Sequence, residues 1–188
     1  RIFNQALLAR QAWRLITKPD SLCALVLKAR YYPDGKLEDT VFAGNASSSW
    51  QAISYGLELL KKGLIWRVGN GRNIRVWHDN WIPRDHKLRL VCPKISDPPQ
   101  LVSDLIDHSN ACWNIAVLDE YFYAMDREVI LNIPLSTRAQ DDFWAWHYDK
   151  KGVFSVRSAY RMISAVKAQR ENWLDHRLGH SNITADRK

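Results

Sequence analysis

The sequence predicts an α+β fold: N-terminal helices, a Trp-rich β-hairpin, then a small mixed α/β part. Three observations predict it. Apolar residues recur at helical spacing in residues 4–31 and 48–62. Asn70-Gly71 sits between two runs rich in tryptophan and arginine. That dipeptide is a strong hairpin signal, because both residues tolerate positive φ. Residues 143–148 alternate Phe/Ala/His with Trp/Trp/Tyr, the period of a strand. With 188 residues, 46% of them apolar, the chain can hold one domain or two small ones around a real core.

Taken in order, Asn4 can cap a helix running to about Thr17, stopped by Lys18-Pro19. Leu8, Ala12, Leu15 and Ile16 fall on one side of it. Arg10, Arg14 and Lys18, spaced i, i+4, i+8, form a ridge on the other. Asp20 can cap a second helix to about Tyr31, with Leu22, Leu25, Val26 and Ala29 inward. Pro33-Asp34-Gly35 is a turn, and residues 34–49 read as a loop. Ser48-Ser49-Trp50-Gln51 matches a capping box for a helix that buries Ile53, Leu57 and Leu60. It ends at Lys61-Lys62-Gly63, where cations meet the negative end of the dipole and Gly63 can take a left-handed cap.

A two-residue turn at Asn70-Gly71 pairs Trp66 with Arg75 and Leu64 with Trp77. Residues 83–100 hold four of the seven prolines and read as an irregular connection. Residues 102–106 are short and apolar. Helices follow at about 115–122, 126–132 and 157–166, with strands at 143–148 and 153–156 around an Asp149-Lys150-Lys151-Gly152 turn. The expected divisions are 1–63 (helical), 64–100 (hairpin and Pro-rich connection), 101–166 (mixed α/β) and 167–188, a polar tail expected to fray or be disordered.

Charge is distributed in blocks. Lys/Arg outnumber Asp/Glu seven to two in residues 1–37 and nine to two in 61–94, within a net charge of +7. The balance reverses to three against ten in 95–150, then returns to eight against three in 151–188. Such a pattern suits polyanion contact by the first half and the tail, with an acidic block that faces water or packs on the basic part. No run is long and apolar enough for a transmembrane helix, so no membrane partner is expected. Cys23, Cys92 and Cys112 are too few and scattered for a disulfide framework, which points to a reduced intracellular setting, nucleus or cytoplasm.

Chemistry finds little purchase. Zinc needs four ligands, usually in two close pairs. His108-x-x-x-Cys112 has the spacing of half a site, and nothing pairs with it. Two-metal nucleotidyl transfer needs clustered carboxylates. Asp141-Asp142 reads instead as a solvated turn before a strand, and Gly69-x-Gly71 as a tight turn rather than a phosphate loop. There is no Gly-x-Ser-x-Gly, and His147, alternating with aromatics, reads as a structural histidine. Neither a catalytic residue nor a cofactor is expected, and the chain is not read as an enzyme. The remaining constellation is basic and aromatic: Arg10, Arg14, Lys18, Lys28, Arg30, Lys61, Lys62, Arg67, Arg72 and Arg75 are the candidate nucleic-acid contacts. Trp66, Trp77 and Trp81 are read as core, with Arg75 stacked on Trp66 as a cation–π pair. The competing role for the tryptophans is base stacking.

Several strings carry a family resemblance across roughly residues 3–163. They are Phe3-Asn4-Gln5-Ala6-Leu7-Leu8-Ala9-Arg10-Gln11-Ala12-Trp13-Arg14-Leu15, Pro19-Asp20-Ser21-Leu22 and Lys28-Ala29-Arg30-Tyr31-Tyr32. Gly63-Leu64-Ile65-Trp66-Arg67-Val68-Gly69-Asn70-Gly71, Val102-Ser103-Asp104-Leu105-Ile106 and Trp144-Ala145-Trp146-His147-Tyr148 follow, then Gly152-Val153-Phe154-Ser155-Val156-Arg157-Ser158-Ala159-Tyr160. In this order they resemble plant non-LTR (LINE-type) retrotransposon reverse transcriptases, in the segment between the polymerase palm and the start of the zinc-binding region. The resemblance implies a parent activity of RNA-directed DNA synthesis, with polymerase aspartates upstream and zinc cysteines and RNase H carboxylates downstream. It implies for this stretch a thumb-like or connecting role. The expected partners are RNA or an RNA–DNA hybrid, and the flanking reverse-transcriptase domains. The alternative is a degenerate or domesticated remnant that acts as a protein-interaction module or has no function.

Overall fold

A computed structural model of the chain describes residues 2–40, 46–85, 87–136 and 140–183, with only the backbone for 172 and 174–183. The fold is mixed α+β with N-terminal helices. It divides into two compact units: Arg1–Lys61 with Phe154–Lys188, and Lys62–Val153.

The first unit is helical. Helix α1 (Ile2–Thr17) packs along α3 (Ser48–Leu60) and α6 (Val156–Ile183). Small side chains make the α1–α3 crossing tight. Ala6, Ala9 and Ala12 are buried, and a Cβ on Gly56 would sit 2.4 Å from the Leu8 backbone. Only glycine fits at that contact. Ser47, rather than Ser48, caps α3 by accepting from the Trp50 N–H, while the Gln51 side chain donates to the Ala46 carbonyl. Gly63 takes no positive φ, so α3 does not end in the expected left-handed cap.

Helix α2 (Leu22–Tyr31) starts at Ser21 rather than Asp20, because the Ser21 hydroxyl accepts from the Ala24 N–H. Its expected inward face is outward. Leu22, Leu25, Val26 and Ala29 are exposed, Leu22 by 79%. The reason is aromatic: Tyr31 stacks on Trp50 at 4.2 Å and Tyr32 at 5.9 Å, and Trp50 is buried. Docking Tyr31 turns the Ala24–Leu27–Tyr31 stripe inward, and stacked rings outweigh two or three aliphatic side chains. Helix α6 runs on to Ile183, past its expected end near Val166. The rest of the tail, 184–188, lies outside the described residues, as do 41–45 of the expected 34–49 loop.

The second unit holds the strands. The expected hairpin does not form. β1 (Leu64–Arg67) pairs antiparallel with β4 (Phe143–Trp146), setting Trp66 opposite Trp144 and Leu64 opposite Trp146. Gly71 has φ +74°, whereas Asn70 stays at negative φ, so the turn that would aim Ile74–Trp77 back along β1 is not made. That segment bonds elsewhere: Val76 N–H donates to the Gln100 carbonyl and Val102 N–H to the Ile74 carbonyl. A short 3₁₀ turn, Val102–Leu105, leads into β2 (Ile106–Asp107), which pairs with β3 (Cys112–Trp113). Helices α4 (Ile115–Tyr121) and α5 (Ala124–Leu131) follow. After β4 the chain turns at Asp149, and residues 153–156 lead into α6 instead of making a second strand. The core gathers Val68, Ile74, Val76, Trp81, Ile82, Leu105, Trp113, Leu118, Phe122 and Ile130. As expected, Trp66 and Trp81 are core residues, and Trp77 packs against that core, its ring stacked on Phe122.

Candidate nucleic-acid interface

The basic ridge on α1 is built by helical spacing alone. Ala6, Ala9, Ala12 and Leu15 are buried, which leaves Arg10 and Arg14 exposed, and Lys18, just past the last turn, exposed as well. Arg14 touches Gln11 at 3.4 Å. Lys28 and Arg30 are exposed in the last turn of α2, where the guanidinium of Arg30 lies 5.6 Å from the centre of the Tyr31 ring. Lys61 is half-buried and 3.3 Å from Glu58.

These six belong to the first unit; Lys62, Arg67, Arg72 and Arg75 belong to the second. Lys62 and Arg72 are exposed and Arg67 is half-buried. Arg75 is engaged: its Nη2 donates to Asp79 Oδ1 at 2.7 Å, and its backbone N–H donates to Asp79 Oδ2 at 2.7 Å. A carboxylate that takes both groups of one residue fixes a turn. Trp66, expected against Arg75, stacks on Trp144 with ring centres 3.8 Å apart.

The acidic residues have a structural task that the sequence does not show. Asp142 is half-buried, not a solvated turn residue. Its Oδ1 accepts from the N–H groups of Gly69 and Gly71, both at 2.8 Å, and its Oδ2 from Asn73 N–H at 2.9 Å. Three N–H groups converging on one anion form a backbone nest, the device that holds phosphate in other loops. Here an internal carboxylate occupies it. Asp141 receives the Asn70 side chain at 2.9 Å, and Asn70 in turn accepts from Arg72 N–H. Asp107 and Asp149 each cap their own turn, accepting from Ser109 and Asn110, and from Lys151 and Val153. Those bonds hold the Asp107 carboxyl below the usual carboxylate range, the Asn110 side chain contributing most. Asp126 is buried and paired with Arg84. Among the described residues, no three His, Cys, Asp or Glu side chains gather to hold a metal ion. His108 and Cys112 stand at the ends of the β2–β3 turn, and Cys23, Cys92 and Cys112 are exposed free thiols. Among the described residues, no helix is long and apolar enough to cross a membrane.

His147 follows β4, its N–H donating to the Gly63 carbonyl at 2.8 Å. Burial pushes its imidazole below the ordinary value of 6.5; Arg67 acts the same way, and Asp85 opposes. A depressed histidine leaves the unfolded chain binding more protons as pH falls. Its contribution to stability is therefore complete above pH 6.5 and shrinks as pH falls below it. Urea titrations should show a lower midpoint at mildly acidic pH, and His147→Gln should flatten that difference. An unchanged pH dependence in the variant would remove His147 as its source.

No family model matches the chain, and no solved structure matches it. Two curated proteins of Arabidopsis thaliana are similar to it. One, described as "Putative ribonuclease H protein", is 31% identical over 178 residues, 90% of this chain. Another, described as "Uncharacterized mitochondrial protein", is 40% identical over 80 residues, 43% of this chain. Both relatives are longer than the stretch they share with it: the matched segments make up 28% of the first and 52% of the second.

Proposed function

We propose that the chain is a stretch of a plant non-LTR retrotransposon reverse transcriptase that holds RNA or an RNA–DNA hybrid and performs no polymerisation itself. The observation that carries this reading is the division of labour between charges. Arg10 and Arg14 lie exposed on α1 and Lys18 just past its end, whereas Asp79, Asp107, Asp126, Asp142 and Asp149 serve backbone N–H groups or arginines. Exposed cations at helical spacing suit a phosphate backbone. Carboxylates consumed by loops are poor candidates for a two-metal centre. Similarity to a longer Arabidopsis protein named for ribonuclease H supports a nucleic-acid setting. Polymerase, zinc-binding and ribonuclease H portions would belong to flanking parts of the parent polyprotein, in the nucleus or cytoplasm.

Replacing Arg10, Arg14 and Lys18 together by alanine should weaken binding to single-stranded RNA by about ten-fold or more at low salt. The fold should survive, because exposed substitutions of this kind change stability by about 0.5 kcal/mol or less. Equal RNA affinity in the variant, measured by fluorescence anisotropy, would remove the ridge from the interface. One observation favours a second reading as a protein-interaction module: the exposed Leu22, Leu25 and Val26 of α2. Under that reading the chain binds no RNA at physiological salt.

A further inference from the structure

Beside the occupied nest lies a cavity of about 440 Å³. It falls within the size range of small-ligand sites. Ile106, Ala111 and Leu135 give it an apolar surface, and Arg72, His108 and Gln140 a polar one, with Asn70 and Asp141 at the loop side. All of these belong to the second unit.

The chemistry of the lining narrows the occupant. Asp142 already fills the N–H nest, so a free phosphate gains nothing from that cradle. The Asn70 side chain is spent on Asp141 and on Arg72 N–H. Among the described residues, what remains is the exposed Arg72 guanidinium, the exposed Asp141 carboxylate with Asn70 on its Oδ1, a carboxamide at Gln140 that both donates and accepts, an exposed imidazole, and aliphatic walls. Aliphatic walls can cover the face of a flat ring, a carboxamide suits the edge of a base, and the Arg72 guanidinium suits a phosphate. We infer that this cavity takes a single nucleotide, its base against Ile106 and Leu135 and its phosphate at Arg72. The inference rests on the nucleic-acid reading above: the nucleotide would be one splayed from a bound single strand.

The test is calorimetric titration of the full chain with adenosine 5′-monophosphate, adenosine and inorganic phosphate, alongside a single-stranded RNA titration of the same preparation. The nucleotide should bind at least about ten-fold more tightly than phosphate. Arg72→Ala should weaken nucleotide binding about five-fold or more and leave adenosine binding nearly unchanged, since it removes only the phosphate contact. Ser136→Trp, which fills the cavity from its wall, should abolish both; near-UV circular dichroism confirms that each variant is folded. Phosphate binding as well as the nucleotide would make this an anion site and overturn the inference. RNA binding with no nucleotide binding overturns the cavity assignment and leaves the strand-holding reading intact. Binding of neither overturns both.

Discussion

Replacing Asp142 by alanine should cost about 3 kcal/mol or more of stability, far beyond the effect of the same change at its neighbour Asp141. Asp142 receives three backbone N–H groups from residues 69–73, all within 2.9 Å. Hydrogen bonds to a charged acceptor contribute about 1.5–3 kcal/mol each, and part of that is recovered when water reaches the donors. Asp141 is exposed and receives one side-chain bond, so its loss should cost less than about 1 kcal/mol. The loop also lacks room to relax. A Cβ on Gly69 would sit 2.3 Å from the Gln140 carbonyl, and one on Gly71 would sit 2.5 Å from Ser103 N. Asp142→Asn should fall between, because it keeps an acceptor and loses the charge. Urea unfolding followed by tryptophan fluorescence decides it. Equal losses at Asp141 and Asp142 would mean that the nest does not organise the β1–β4 ladder, whose Arg67–Phe143 pair begins beside it.

Trp146→Ala should cost about 3–5 kcal/mol, the range for removing a fully buried aromatic ring. Its indole is completely buried, with Tyr148 5.5 Å away between ring centres and Gly63 so close that a Cβ there would come within 2.6 Å of the ring. Gly63 has no side chain with which to fill the space, so a cavity should persist beside Tyr148. Trp173 supplies the contrast: it is 55% exposed on α6, and its replacement should move stability by about 0.5 kcal/mol or less. A Trp146→Ala loss below about 1 kcal/mol would contradict the packing described for this sheet.

The sequence was most legible where the deciding interactions are local. The outlines of α1 and α3 follow from spacing, although α1 begins at Ile2 with Asn4 inside it and α3 is capped by Ser47, and the exposed Arg10 and Arg14 follow from the same period. Asp107 and Asp149 cap turns within their own next few residues, a signal readable from Asp followed by small or polar residues. Failures came from distant partners. Asn70-Gly71 looked like a hairpin turn, but β1 meets a strand more than 70 residues away, and Asp142 reaches back 73 residues to Gly69. Helix α2 was turned over by one aromatic stack, Tyr31 on Trp50, which its own apolar period could not foretell. Of the ten candidate contacts, local pattern could place the helical ones; it could not foresee that Arg75 closes a turn with Asp79.

Salt dependence tests most directly whether exposed cations grip a nucleic-acid backbone. Affinity for a single-stranded RNA should be measured from about 50 to 200 mM salt. Each phosphate neutralised releases counterions, so the logarithm of affinity should fall linearly with the logarithm of salt, by about 0.7 per contact. Three ridge contacts alone predict a slope near −2, and alanine at Arg10, Arg14 and Lys18 should flatten it by about that amount. Tight binding with a flat salt profile, or no binding even at the lowest salt, would contradict the account.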